Sequence, residues 1–208
     1  MHHTADASKS TLDALVYTVE ALAAHDGDAE LQGLAKRLAP LIEDHESIEA
    51  DGLALRRNVI RATARVRVAD AALDAGIAAF AKDLLALTGG SDDPRYAGYF
   101  VEGHDEVIAM GLDSEVPVVT VIVGKLDADP EAPPSLRAHL EPLRAALRHG
   151  NAALADRSDA YADIGRHEAR RVAWCETAQS ALRSARRMLV SRATNRGLAP
   201  TWVDTFFA

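Results

Sequence analysis

From Gly52 to Leu87 the residues Leu55, Val59, Ala62, Val66, Ala69, Leu73, Gly76, Phe80, Leu84 and Leu87 recur at spacings of four and three. That is the seam of a long amphipathic helix packed against other helices. Arg56, Arg57, Arg61, Arg65 and Arg67 fall off the seam. The stretch TGGSDDP (88–94) then supplies glycine to end the helix and proline to prevent its return. A helix of about 36 residues spans on the order of 50 Å, a length at home in helical bundles.

A comparable segment runs from about Asp156 to Ala193. Val172, Cys175, Ala178, Leu182, Ala185 and Leu189 form one side, and Trp174, Ala181 and Met188 widen the apolar face. Arg170, Arg171, Arg183, Arg186, Arg187 and Arg192 supply the solvated remainder, and TNRGLAP (194–200) closes the helix as TGGSDDP closes the first.

Four anchors recur in order in the two halves of the chain. DGDAE (26–30) parallels DADPE (127–131) at an offset of 127 − 26 = 101. RLAPL (37–41) parallels HLEPL (139–143) at 139 − 37 = 102, Ile77 and Leu84 pair with Leu182 and Leu189 at 105, and PRYAGYF (94–100) parallels PTWVDTF (200–206) at 106. The spacing predicts a tandem duplication: residues 1–100 and 101–208 are each a helical repeat with an aromatic tail, packed together as one domain. The expected fold class is all-α, an antiparallel bundle with long helices and a pseudo-twofold repeat of a three-helix unit.

Two local readings lean on that repeat. VPVVTVIVGKL (116–126) has the β-branched content of a buried strand, yet its counterpart LDALVYTVEALAA (12–24) carries a helical pattern. A lone strand would also leave its backbone donors without partners. A buried helix is therefore expected, with Asp113 or Ser114 as N-cap and Pro117 within its first turn. Pro40 and Pro142 mark either the start of a helix or a kink within one.

Tyr96, Tyr99, Phe100, Trp202, Phe206 and Phe207 are six of the ten aromatic residues, and all follow directly on the long helices. Burying a large aromatic contributes about 1.5–3 kcal/mol, which favours tails that close the ends of their bundle. The functional alternative is that a tail, the C-terminal one above all, docks into a second subunit or a partner.

Other chemistry is sparse. A net charge of −8 argues against nucleic acid and anionic membranes as partners. No apolar run approaches the length of a membrane span, and no secretory signal is visible, so a cytoplasmic location is expected. The single cysteine, Cys175, falls among core-facing positions of a helix and reads as a structural thiol. Neither a phosphate-binding glycine loop nor a Gly-x-Ser-x-Gly elbow is present, and no cofactor is implied.

Metal ligation has three weak candidates: EDHESIE (43–49), EGHDE (102–106) and the ladder Asp159, Asp163 and His167. None contains the Glu-x-x-His pair of carboxylate-bridged bundles, and a solvated acidic stripe accounts for the ladder equally well. The expectation is a non-enzymatic bundle acting through self-association or a protein partner. The alternative is a metal- or small-ligand-binding bundle, with oxidase or hydrolase activity as its enzymatic form, using His45, Glu46, Glu49, Asp159, Asp163 and His167. An Arg-rich docking face around Arg56 to Arg67 is a weaker third reading.

Overall fold

A computed structural model describes residues 2–207, with side-chain surroundings from residue 7 onward. The described residues form helices and no strand: α1 (His2–Ala23), α2 (Ala29–Leu38), α3 (Pro40–Thr88), α4 (Pro94–Tyr99), α5 (His104–Ile108), α6 (Leu112–Ala128), α7 (Pro134–Arg137), α8 (Leu140–Arg196) and α9 (Thr201–Asp204). The protein is all-α, as the seams predict.

The two long helices are longer than their periodicity suggested. α3 begins at Pro40 and α8 at Leu140, rather than near Gly52 and Asp156. Both prolines sit where a helix starts. Pro40 is the first residue of α3 and Pro142 lies in the first turn of α8, so neither missing N–H breaks an intrahelical bond. Gly89 and Gly197 follow the last residues of these helices with φ of 78° and 65°, the left-handed conformation that releases the chain from a helix.

The segment VPVVTVIVGKL lies in α6 and is helical. Its start differs from expectation. Gly111 is the N-cap, its carbonyl accepting from the Ser114 and Glu115 N–H groups at 2.8 and 3.0 Å, and Asp113 and Ser114 are already inside the first turn. Leu112 is buried, and the helix begins early enough to carry it into the core. Pro117 therefore sits beyond the first turn, inside the helix.

Two compact units make up the chain, and α3 and α8 contribute to both. Unit 1 comprises Met1–Arg56 with Asp163–Ala208, and unit 2 comprises Arg57–Ala162. In unit 1, Leu15 and Leu22 of α1, Leu31 and Leu38 of α2, Ala178 and Leu189 of α8, and Phe206 share one core. In unit 2, Leu73, Phe80 and Leu84 of α3 pack with Tyr99 and Phe100, with Val119, Ile122 and Leu126 of α6, and with Leu136 and Leu143. Within each unit the segments of α3 and α8 run antiparallel: Leu41 meets Trp174 and Asp51 meets Arg170 in the first, Arg65 meets Asp156 and Asp83 meets His139 in the second.

The buried face of α8 is rotated from the expected one. Trp174, Ala178, Ala185, Leu189 and Ala193 face the core, whereas Val172 and Met188 are exposed. Arg171 and Arg192, expected in solvent, are buried. Arg192 is held there by Asp28, the N-cap of α2, and by Glu30 at 2.6 Å, so its charge is compensated where it is desolvated.

Buried positions recur between helices. Ser8, Thr11, Leu15, Thr18, Val19 and Leu22 of α1 correspond to Leu112, Glu115, Val119, Ile122, Val123 and Leu126 of α6, each shifted by 112 − 8 = 104. Val66, Ala69, Leu73, Phe80 and Leu84 of α3 correspond to Arg171, Trp174, Ala178, Ala185 and Leu189 of α8, each shifted by 171 − 66 = 105.

Candidate functional site

The aromatic segments lie against the units rather than in solvent. Tyr96, Tyr99 and Phe100 are buried in unit 2, where Phe80 meets Tyr99 edge-on with ring centroids 5.3 Å apart. The Tyr99 hydroxyl donates to Asp129 at 3.2 Å and the Tyr96 hydroxyl contacts His104 Nδ1 at 2.9 Å. In unit 1 Phe206 is fully buried, edge-on to Trp202 at 4.9 Å and 5.1 Å from the His25 ring. Trp202 and Phe207 are half-buried, and Arg186 lies over the Phe207 ring. The first tail thus packs beside α6, Tyr99 and Asp129 lying 30 residues apart in the chain, whereas the last turn packs on the α1–α2 corner, with 206 − 25 = 181 residues between Phe206 and His25.

Asp129 shows how such an end is fastened. It accepts from the Glu131 N–H at 2.9 Å and from Arg95 at 2.7 Å as well as from Tyr99. The Glu131 N–H first, and then Arg95 and Tyr99, hold its carboxyl below the usual range against the opposing effect of burial. Burial, then the Asp129 charge, push the Tyr99 phenol up.

Where α4, α5 and α6 meet, an open cleft of about 290 Å³ remains. Phe100, Val101, Val107, Met110, Val118 and Val121 line it, with Glu102, Glu106 and Lys125 also present. Val101 is 85% exposed and Val121 56%. Lys125 reaches the Gly98 carbonyl at 2.7 Å, fixing one wall. Among the described residues no serine, cysteine or histidine lines the cleft.

The sequence-derived metal candidates do not converge. His45 is buried in unit 1, its Nε2 3.0 Å from Ser8 Oγ and its ring 4.5 Å from that of Trp174. Glu49 lies 3.9 Å from the same Nε2, so it does not orient Nδ1 as the acid of a nucleophilic triad does. His167 donates from Nε2 to the Ile48 carbonyl at 2.8 Å, and Asp163 pairs with Arg166. Glu46 and Asp159 are exposed. His104 is occupied by Tyr96, with Glu102 exposed beside it. Among the described residues no group of three His, Cys, Asp or Glu side chains stands where it could hold a metal ion.

Two arrangements escaped the sequence reading. Gly52 lies directly under the His167 ring, where a Cβ would come within 2.7 Å of Cε1. In unit 2 the side chain of Glu115 is wholly buried beside Asp74, with Asp70 near enough for its charge to act on it. Burial first, then the charges of Asp74 and Asp70, push its carboxyl up to about 8. Its signal was present in the chain, since Glu115, Val119, Ile122 and Leu126 share one helical face. No family model, curated protein or solved structure matches this chain.

Proposed function

We propose that this is a non-enzymatic helical-bundle protein that associates with a second copy of itself through the cleft formed by α4, α5 and α6. The observation that carries this reading is the pair Val101 and Val121, strongly exposed apolar side chains at an open apolar cleft. At about 290 Å³ the cleft lies at the lower end of small-ligand sites, which favours a partner's side chains over a cofactor. A twofold contact sets a patch against itself, so a patch of one sign repels its copy. Lys125 together with Glu102 and Glu106 makes this one self-complementary. A chain of net charge −8 needs such local pairing to approach its copy.

Light scattering on the eluting full-length protein, over a wide concentration range, tests the proposal. The expected result is a dimer mass that V101D/V121D converts to a monomer with unchanged helicity. A wild-type chain that stays monomeric at several hundred micromolar refutes it.

The fold carries a related proposal, that the chain arose by tandem duplication of a three-helix unit with its tail. Supporting it are the order α1–α2–α3–α4 repeated as α6–α7–α8–α9 and the constant offsets of buried positions. On that reading each compact unit draws segments from both repeats, and each aromatic tail closes the helices of the other repeat.

A further inference from the structure

Unit 2 contains three acidic groups, Asp70 and Asp74 one turn apart on α3 and Glu115 on α6, with oxygens shielded from solvent. If all three are ionised, neither Glu115 oxygen has a donor, and Asp70 Oδ1 and Asp74 Oδ1 lack one as well. A buried, uncompensated carboxylate costs several kcal/mol, so the site needs an occupant. The three carboxyls are not disposed as a cation site. Asp74 and Glu115 neighbour one another with oxygens shielded from solvent, and a proton on one of them turns their repulsion into a hydrogen bond. Glu115, the fully buried partner, is the donor and Asp74 the acceptor.

Among the described residues, the groups around Glu115 offer no countercharge. From α3 it faces Asp70 and Asp74. From α8, Gly150 lies beneath Leu112 and Val116, and Arg157 is engaged by Asp113 at 2.6 Å. On α7, Arg137 bonds the Asp129 and Pro130 carbonyls beyond the far end of α6. On α5, His104 is held by Tyr96, while Asp105 and Glu106 add negative charge.

The corresponding place in unit 1 is neutral. Thr11 on α1 takes the position of Glu115 and Gln179 on α8 that of Asp74, at the offsets of 104 and 105 seen in the buried faces, and Gln179 donates to Thr11 at 3.2 Å. One unit is joined there by an uncharged hydrogen bond, the other by a carboxyl pair that must share a proton.

We infer that the Glu115–Asp74 pair is a proton-operated latch, holding α6 against α3 while it carries one proton and loosening α6 when that proton is lost. For the sign, an acid held protonated in the folded unit binds more protons there than in the open one. Stability is therefore full below the ordinary glutamate range, falls as pH rises, and levels off once the folded group ionises.

Hydrogen exchange of the full-length chain, read on peptides from α6 and α1 and corrected for intrinsic rates, tests the latch. Protection in α6 should fall about tenfold per pH unit between about pH 5.5 and 8, while α1 stays level. Glu115→Gln should remove the slope in α6, and Asp74→Asn, which relieves the repulsion, should end the fall at lower pH. Parallel pH profiles for wild type and Glu115→Gln overturn the inference, as does an equally steep loss in α1. Recovery of α6 protection on adding magnesium or manganese at alkaline pH also overturns it, in favour of a bound cation.

Discussion

Gly52 tests the packing of unit 1 because two effects of opposite sign meet there. Replacing a helix-interior glycine with alanine ordinarily stabilises by about 1 kcal/mol. Here the added Cβ would stand 2.7 Å from Cε1 and 2.8 Å from Nε2 of His167, against an ordinary contact of about 3.5–4.0 Å. The imidazole must retreat by about 1 Å, and its 2.8 Å bond to the Ile48 carbonyl is lost. That bond contributes roughly 0.5–1.5 kcal/mol net, with about 1–3 kcal/mol at stake if the Nε2–H finds no other acceptor. His167 is only half-buried and borders a polar cleft with Asp51 and Asp163, so the lower part of that range applies. Gly52→Ala should therefore destabilise by about 0–1 kcal/mol in the native background, the lost bond set against the helix gain. In a His167→Ala background, with the ring gone, it should stabilise by about 1 kcal/mol. Urea unfolding followed by tryptophan fluorescence reads this locally, because Trp174 and Trp202 both belong to unit 1. A coupling within about 0.5 kcal/mol of zero, with Gly52→Ala equally stabilising in both backgrounds, would refute the close approach.

Phe206→Ala should cost about 3–5 kcal/mol, since the side chain is fully buried against Trp202 and His25; an unchanged melting temperature would show that the C-terminal tail does not close unit 1. Leu22→Ala and Leu126→Ala, at matched positions of α1 and α6 and both essentially inaccessible, should each cost about 2–5 kcal/mol in chemical denaturation. Glu115→Gln should raise stability at pH 7 by about 3 kcal/mol, the linkage value for a glutamate moved from 4.5 to about 8, with less realised if the amide packs imperfectly. Asp129 carries the opposite sign: its depressed folded value gives stability present above its unfolded 3.8 and lost as pH falls through the folded value. Asp129→Asn should flatten the acid limb of a thermal melt series, and an unchanged limb would assign acid sensitivity elsewhere.

The long helices were legible because a seam at spacings of three and four is a property of neighbouring residues. Their true starts were not, because the early turns of α3 bury only a few side chains, such as His45 and Ile48, too few to continue the apolar rhythm. The face of α8 was misread by a small rotation for a similar reason. Arg171 and Arg192 occupy buried positions of the seam, and the eye assigns arginines to solvent unless it knows that Asp28 and Glu30 come to meet one of them.

What local pattern could not express is the pairing of segments distant in sequence. A repeated motif predicts that two segments do similar work, but not whose helices each one covers. Phe206 meets His25 and Tyr99 meets Asp129, contacts across the chain that no window of neighbouring residues contains. Glu115 is the sharpest case. A sequence reader sees an acid at the start of a helix, where acids are common and harmless. Only the approach of α3, carrying Asp70 and Asp74, turns that position into one where burial and like charge push the carboxyl toward its protonated form. The neutral Thr11–Gln179 pair shows that the fold itself does not require such a group, so the carboxyl pair is a property of this half's side chains and a separable target for substitution.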